Sequence, residues 1–479
     1  MRARPYAKYV DVYGTEGTVH ADLVREIATV HRARALPRMV DKVTYSIEDG
    51  AQTLAGTVGN VAGVALGRAH GYQDLHGLVA AFYGALQAGT APPVSAEEGR
   101  RMVGVLEAIR AHSPEPLQRA PAARPQVVHA QVAEPQPRTA AERTLAEEGL
   151  PGKALVTGAT GFLGFRLVEA LWRSGVDVVA LVRDPSRMAP SLGEWATIAR
   201  GDLRDPAAIA AAMDGVGTVF HTAAITTNRA RWQAHHETNV LGTRAVLDAA
   251  AEAGAQHVIH VSSVIVYGLH PDANGSAVDE SAQYAEPDQW AHYMRSKRDA
   301  DVLAMDYVRE QGLPVTVARL GILYGPGGGF GGTGGLTQLG SARLVMGSGG
   351  NLLPFTFVDN AIDALLLLAL HPECAGEAYN VVDEPQVSVR EALRILRAVR
   401  GERGIVVPLP ATVFRLGARF LEGRQGRDGA DLPPPLTRYV VDSARRNVRY
   451  ATDKIRRDVG WQPEVSLEEG LRRTVAAGV

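Results

Sequence analysis

Tyr293 and Lys297 lie four residues apart in the stretch HYMRSK, so on a helix they share one face. A phenol with a pKa near 10 is a poor base at neutral pH, but a neighbouring ammonium group favours the phenolate and lowers that pKa. Ser263, in VSSVIVYG, can hydrogen-bond a substrate oxygen that Tyr293 protonates or deprotonates. These residue types are suited to general acid–base chemistry at a substrate oxygen.

The stretch ALVTGATGFLGFRL, residues 154–167, predicts a phosphate site, because an apolar run there meets a helical one across a glycine pattern. The glycines permit a tight turn, let the backbone approach a pyrophosphate, and allow the helix to pack closely on the strand. The N-terminus of the helix offers free N–H groups to the phosphates. The predicted dinucleotide-binding residues are Gly158, Thr160, Gly161, Phe162, Leu163 and Gly164.

The end of the second apolar run, VALVRDP, decides which dinucleotide is expected. Proteins specific for NAD commonly place an acidic residue there, whereas Arg183 suits the 2′-phosphate of NADP. NADP is therefore the preferred cofactor, with NAD as the alternative if Asp184 holds the ribose. Asp202 either accepts from the adenine amino group or caps a helix. The further residues expected to line the adenine and ribose are Leu203 in GDL and Thr222, Ala223 and Ala224 in HTAA.

Six short apolar runs alternate with amphipathic stretches after residue 152, which predicts a parallel sheet covered on both faces. The runs are KALVTG, VDVVALVRD, ATIARGDL, GTVFHTAA, HVIHVSS and PVTVARLG. The predicted fold class is α/β, a Rossmann-type doubly wound sheet over about 152–325. A small C-terminal substrate lobe is expected over about 326–479.

The first third of the chain has a different organisation. A proline- and alanine-rich linker is predicted over 113–151, with a short helix at 139–148. Before it, a small α+β domain is expected over 1–112. Its signals are a hairpin in YVDVYGTEGTVHADL and helices in LHGLVAAFYGALQAG and SAEEGRRMVGVLEAIRAH.

The composition of the 479 residues limits the partners. Charged residues make up 21% and the net charge is −2, so no global attraction to nucleic acid or anionic lipid is expected. The single cysteine, Cys374, excludes an intrachain disulfide and suits a cytoplasmic protein. The longest apolar run, ALLLLAL, is too short to span a membrane and predicts a buried helix. The adjacent His235 and His236 are interpreted as a solvated helix face, not as metal ligands.

At this point the chain resembles the extended short-chain dehydrogenases/reductases over residues 153–476. The resemblance rests on TGATGFLG, GDL, TNV, SSxxVYG, YxxxK and YGPG, in matching order and spacing. It implies hydride transfer at nicotinamide, with Ser263, Tyr293 and Lys297 as the catalytic triad. Lys297 would also hold the nicotinamide ribose. Asn239, in TNV, would support the site and the cofactor.

The resemblance also bears on the substrate. Nucleotide-sugar enzymes of this family usually read R-P-x-N-V-Y-G-P, whereas this chain has Leu320 and Ile322 in place of the Pro and the Asn. Segments such as MGSGGNLLPFTFVDN resemble 3β-hydroxysteroid and sterol-4-carboxylate dehydrogenases, and LVRDP resembles dihydroflavonol reductases, which use NADPH. The expected small-molecule substrate is a secondary alcohol or ketone on an apolar cyclic skeleton. The alternatives are a nucleotide-sugar epimerase, dehydratase or reductase, and a non-catalytic redox sensor.

Residues 5–112 resemble the C-terminal part of the glucose–fructose oxidoreductase and inositol dehydrogenase family. The nucleotide-binding domain and Glu-Lys-Pro motif of that family do not precede this part, so no catalytic role is assigned to it, and the chain is interpreted as a fusion protein. A partial sheet should expose an apolar face, which leaves a homodimer open. Arg415 and Arg419, in ATVFRLGARFLEG, are expected to close the substrate lobe, with a membrane surface as the alternative.

Overall fold

The computed structural model describes three short ranges near the N-terminus and most of the chain after residue 136. The described ranges are 9–14, 17–22, 27–32, 137–227, 230–268, 277–328, 337–339, 342–402, 405–427, 432–434, 436–445 and 447–477. The chain forms two units, Met1–His129 and Ala130–Val479. The two helices predicted in 75–112 lie outside the described residues, as does the linker up to residue 136.

The described part of the first unit is an antiparallel sheet of three strands in the order β1-β2-β3. The strands are β1 (Tyr9–Gly14), β2 (Gly17–Asp22) and β3 (Ile27–Arg32). Gly14 pairs with Gly17 across the β1–β2 turn, so the predicted hairpin is confirmed. The third strand was not predicted. The resemblance of residues 5–112 to another oxidoreductase family stays a prediction.

The second unit contains a seven-stranded parallel sheet. Its strands are β4 (Lys153–Thr157), β5 (Val178–Val182), β6 (Thr197–Arg200), β7 (Val216–His221), β8 (His257–Ser263), β9 (Val315–Leu320) and β15 (Ala378–Val381). Their order is β15-β9-β8-β7-β4-β5-β6. All six predicted strands are confirmed, and the order reverses at β4, so the carboxyl ends of β4 and β7 flank a crevice where ligands bind in such folds.

Helices cover both faces of this sheet. They are α1 (Ala140–Glu148), α2 (Phe162–Arg173), α3 (Leu192–Trp195), α4 (Pro206–Ala212), α5 (Trp232–His235), α6 (Gly242–Ala253), α7 (His292–Gln311) and α8 (Val358–Leu370). A π-helical turn, His236–Leu241, joins α5 to α6. Successive side chains of β4 serve the two faces: Ala154 and Val156 belong to one hydrophobic core, and Leu155 belongs to the other.

The Rossmann core is not continuous in sequence, contrary to the predicted boundary near 325. The strand β15 and the helix α8 follow that boundary, yet β15 pairs with β9 and α8 packs on the same core as α2. The run ALLLLAL lies in α8 and is buried, as predicted. Apolar burial brings these elements back to the sheet, because α8 is apolar on nearly all sides.

The end of the predicted linker also belongs to the folded domain. The helix predicted at 139–148 is α1, and its Leu145 is fully buried in the core. Thr139 Oγ1 donates to Asp363 Oδ1 at 2.6 Å, and Arg173 Nε donates to Glu142 Oε2 at 3.0 Å. A helix with a buried apolar residue and these polar contacts packs as an element of the core, not as a spacer.

The C-terminal lobe adds short sheets and helices over the strand ends. Its strands are β10 (Ile322–Tyr324), β11 (Thr337–Leu339), β12 (Ala342–Met346), β13 (Leu352–Leu353), β14 (Phe355–Phe357), β16 (Val387–Ser388) and β17 (Ile405–Leu409). Its helices are α9 (Val389–Arg400), α10 (Ala411–Arg427), α11 (Arg438–Ser443), α12 (Asp453–Val459) and α13 (Leu467–Ala476). Among the described residues, no helix combines the length and apolarity that a membrane span requires.

A buried ion pair ties α7 to the sheet. Asp301 of α7 is fully buried, and Arg319 of β9 donates from Nε to its Oδ2 at 3.0 Å and from an Nη atom to its Oδ1 at 3.1 Å. Ser262 Oγ of β8 and the hydroxyl of Tyr284 also donate to Asp301, at 2.7 and 2.8 Å. Arg319 further donates to the hydroxyl of Tyr267 at 2.7 Å. The pair therefore fixes α7 against β8 and β9.

Replacing Asp301 by Asn should destabilise the second unit by about 3–5 kcal/mol, since the Arg319 guanidinium would stay buried without its counter-charge. The measurement is the midpoint of urea unfolding. Asp299→Asn is the matched control, because its contact with Arg298 at 3.1 Å is partly exposed and should contribute below about 1 kcal/mol. Equal shifts for the two variants would contradict the structural role of Asp301.

Candidate functional site

The turn between β4 and α2 is built for a close approach of backbone. Gly158 has a φ of +74°, and a Cβ atom on it would lie 2.8 Å from Ala223 Cα. A Cβ on Gly164 would collide with the carbonyl oxygen of Gly158, so α2 packs directly on the turn. No side chain caps α2 at Gly161, which leaves the N–H groups of its first turn as donors for a pyrophosphate. The turn thus fits the dinucleotide that the sequence predicts.

The ends of β5 and β6 bring two arginines to one carboxylate. Arg204 donates to both oxygens of Asp202 at 2.9 Å, and Arg183 lies 4.0 Å from Asp202, with 70% of its own side chain exposed. The hydrogen bond from Arg204 lowers the pKa of Asp202 to about 2. The alternative that Asp202 caps a helix is wrong, because Asp205 is the N-cap of α4. Asp184 Oδ1 accepts two hydrogen bonds from Ser186, one from the backbone N at 3.1 Å and one from Oγ at 2.7 Å.

Ser263, Tyr293 and Lys297 converge where β8 ends and α7 begins. All three side chains line one cavity, and Lys297 Nζ donates to the Val261 carbonyl oxygen at 2.8 Å. Burial raises the pKa of Tyr293 to about 12, and the hydrogen bond with Ser263 opposes that rise. Burial also lowers the pKa of Lys297 to about 8, against the raising effect of Asp301. Desolvation of the phenolate therefore outweighs the predicted effect of the Lys297 ammonium in this structure, and the lowering expected with a bound nicotinamide ring stays a prediction.

Asn239 lies behind this site, not within it. Its Oδ1 accepts from Ile225 N at 2.7 Å, and its Nδ2 donates to Ile225 O and to Ser296 Oγ, both at 2.9 Å. The supporting position predicted for Asn239 agrees with these bonds. The prediction that Asn239 contacts the cofactor does not agree with them, because both atoms of its amide bond to protein groups and join the segment after β7 to α7.

His235 is buried, contrary to the interpretation of a solvated helix face. Its Nε2 donates to the Thr227 carbonyl oxygen at 2.9 Å, and its ring centroid lies 6.4 Å from that of Tyr293. Burial lowers the pKa of His235, so the ring is neutral at pH 7. In the described part of the chain, no group of three or more His, Cys, Asp or Glu side chains is arranged to hold a metal ion.

One cavity of about 1250 Å³ brings the predicted site together. The predicted residues that line it are Gly158, Thr160, Gly161, Phe162, Leu163, Gly164, Arg183, Asp202, Leu203, Thr222, Ala223, Ala224, Ser263, Tyr293 and Lys297. The described charged residues on its wall are Arg183, Asp184, Asp202 and Lys297. The cavity is thus charged along the predicted cofactor side and neutral elsewhere on its described wall.

The C-terminal lobe supplies the other end of the cavity, which the sequence did not assign. Its apolar wall includes Ile322, Leu352, Val440 and Val448, and its polar groups are Asn351, Tyr439, Ser443 and Tyr450. These residues come from four separate segments, so no local motif marks them. Arg204, the partner of Asp202, was also not predicted. It follows Asp202 by only two residues in GDLR, so motif reasoning could have found it.

Two curated enzymes are similar to this chain over nearly their whole length. The 2-alkyl-3-oxoalkanoate reductase of Stenotrophomonas maltophilia is 33% identical over 346 residues, which are 68% of this chain and 99% of the reductase. The 4-hydroxy-2-methyl-3-oxo-4-farnesyl-3,4-dihydroquinoline-1-oxide ketoreductase of Stigmatella aurantiaca is 31% identical, covering 68% of this chain and 96% of the ketoreductase. Similarity to 3β-hydroxysteroid dehydrogenases of Arabidopsis thaliana and mycobacteria lies at 26–28% identity.

A solved structure and a family description agree with these relatives. The dTDP-glucose 4,6-dehydratase DesIV of Streptomyces venezuelae, solved with NAD and DAU bound, superposes with a TM-score of 0.53 at 26% identity. The match covers 68% of this chain and 96% of DesIV. Residues 154–381 match the NAD dependent epimerase/dehydratase family. With the glycine turn and the parallel sheet in place, this chain belongs to that family, as an extended short-chain dehydrogenase/reductase.

Proposed function

We propose that the chain is an NADP(H)-dependent oxidoreductase that interconverts a secondary alcohol and a ketone on an apolar, cyclic substrate. The observation that carries the proposal is a cavity that joins the glycine turn to Ser263, Tyr293 and Lys297 and ends in a neutral, largely apolar wall. Bound nicotinamide would supply the hydride acceptor or donor. The residues of the chain would bind the substrate, exclude water and move the proton.

The proton chemistry follows from the three side chains. With a pKa of about 12, Tyr293 holds its proton at neutral pH and can donate it to a ketone oxygen. Ser263, which lines the cavity with Tyr293 and opposes the rise of its pKa, would orient the same oxygen. Lys297, with a pKa of about 8, is mostly charged at pH 7, and its ammonium would bind the nicotinamide ribose and favour the phenolate that remains.

The preference for NADP rests on the two arginines beside Asp202. Arg183 lines the cavity at the strand end where the 2′-phosphate of NADP would lie, and Arg204 lies beside it, bound to Asp202; both side chains are largely exposed. Asp184, the acidic residue that could serve NAD, already accepts two hydrogen bonds from Ser186. With Asp184 engaged, the exposed guanidinium of Arg183 is the group at this strand end that favours a phosphate over a free hydroxyl.

The substrate class follows from the charge and polarity of the lobe end. A nucleotide-sugar diphosphate calls for cations, and the described residues at this end supply none, while Ile322 presents an alkyl group where sugar enzymes carry an amide. Uncharged donors such as Asn351 and Tyr439 suit a few polar groups on an otherwise apolar skeleton. The names of the similar reductase and ketoreductase, with alkyl and farnesyl groups, support an apolar ketone.

Tyr293→Phe should reduce turnover by about 10²- to 10⁴-fold, since it removes the proton donor and leaves the shape of the site. Binding of NADPH, followed by its fluorescence, should change little because the dinucleotide contacts remain. Tyr307→Phe is the matched control on the same helix, where the hydroxyl bonds to Asp248 away from the cavity. Near-normal turnover of the Tyr293 variant would refute the assigned role.

Arg183→Ala combined with Arg204→Ala should lower the ratio of kcat/KM for NADPH over NADH by about tenfold to a hundredfold, because charged hydrogen bonds to the 2′-phosphate are lost. Arg200→Ala, an exposed arginine at the end of β6, serves as the control for loss of charge. If the unmodified protein prefers NADH, the assignment to NADP fails, while the oxidoreductase assignment stands.

A panel of steroids, flavonoid-like ketones, 2-alkyl-3-oxoalkanoates and nucleotide sugars, followed at the nicotinamide absorbance, should show turnover of an apolar ketone or alcohol. The neutral cavity wall is the reason for this expectation. Turnover of uridine or thymidine diphosphate sugars alone would favour the sugar-enzyme alternative. Tight dinucleotide binding without turnover of any panel member would favour a redox sensor.

A further inference from the structure

The helix α10 has two apolar faces, and one of them is exposed. Its inner face packs on α11 through Ala411 and Ala418, which share a hydrophobic cluster with Val441 and Ala444. Its outer face presents Val413, Leu416 and Phe420, which are 64%, 71% and 58% exposed. Positions 413, 416 and 420 fall on one side of a helix, so the three side chains form a continuous patch, which we name the α10 face. Soluble surfaces seldom group large apolar side chains in this way unless a partner covers them.

Basic residues accompany the α10 face. The helix carries Arg415, Arg419, Arg424 and Arg427 against one acidic residue, Glu422. Glu422 is buried, and its two oxygens accept from Arg438 N and Nε, each at 2.6 Å. Arg415 pairs with Asp442 at 3.2 Å but keeps about half of its side chain exposed, and Arg419 is exposed. An apolar stripe beside exposed arginines is the pattern of a helix that lies flat on an anionic bilayer.

We propose that the α10 face docks on the surface of an anionic lipid membrane, with Leu416 and Phe420 inserted among the acyl chains and the arginines at the headgroups. A second copy of the chain is a less favourable partner for the α10 face, because a symmetric contact would place the positively charged arginines of both copies against each other. Residues 1–129 carry slightly more basic than acidic residues, so they offer no net negative charge either. Lipid supplies both the apolar surface and the negative charge.

The α10 face lies close to the cavity, so docking on a membrane would bring the cavity near a source of apolar substrate. The helix α11, which packs on the inner side of α10, lines the cavity with Tyr439, Val440 and Ser443. A membrane against α10 would therefore lie one helix away from the lobe end of the cavity. This delivery of an apolar substrate rests on the proposed function, whereas the docking itself depends on the surface alone.

The test uses the full chain and vesicles of phosphatidylcholine, with or without about a third phosphatidylglycerol. The protein should co-sediment with the anionic vesicles at least about tenfold more strongly than with neutral ones, and added salt should weaken binding, since charge draws the helix to the surface. Leu416→Ser with Phe420→Ser should abolish most of the binding. Arg415→Gln with Arg419→Gln should reduce it.

Arg472→Gln with Arg473→Gln is the matched control, because it removes the same charge from exposed positions on α13 and should leave binding unchanged. Unfolding midpoints of all variants show that the fold is kept, and sedimentation equilibrium gives their oligomeric state. Absence of binding to anionic vesicles, or equal binding by the Leu416/Phe420 variant, would overturn the proposal. An oligomer that dissociates in that variant without any vesicle binding would assign the face to a second copy. Loss of turnover on the substrate panel would leave the docking result unaffected.

Discussion

The buried pair of Asp301 and Arg319 is the interaction on which the candidate site depends. Neither residue lines the cavity, yet together they join α7, which carries Tyr293 and Lys297, to β8, which carries Ser263. Removing one charge of such a pair costs far more than the pair contributes, because the other charge stays desolvated. The relative position of the three reactive side chains is therefore held by electrostatics outside the cavity.

Burial also sets the protonation states inside the cavity. The same exclusion of water raises the pKa of Tyr293 to about 12 and lowers that of Lys297 to about 8. It leaves His260, stacked on His221 behind the site, with a pKa of about 3, so this histidine adds no charge near Lys297. A site with a protonated phenol and few charges is suited to an apolar carbonyl compound and poorly suited to a diphosphate.

Local patterns predicted a large part of the fold and of the cofactor side. Six strands, the glycine turn and the Tyr293–Lys297 spacing depend on residues close together in sequence, so periodicity and motif reasoning reach them. The same reasoning predicted the helix α1 but failed for its packing in the core, for β15 and for His235. Each of these depends on what a distant segment packs against: Leu145 enters the core of α8, β15 returns to β9, and α7 covers His235.

The sequence by itself determined the fold class, the dinucleotide turn and the residue types for acid–base chemistry, because backbone geometry and short spacings encode them. Tertiary structure alone decided three further properties: the pKa direction of Tyr293, the place of Asn239 behind the wall, and the neutral lobe end of the cavity. These properties arise from desolvation and from contacts between distant segments, since the residues that line the cavity range from Gly158 to Tyr450. Burial is a sum over the whole fold, and no local stretch of sequence contains it.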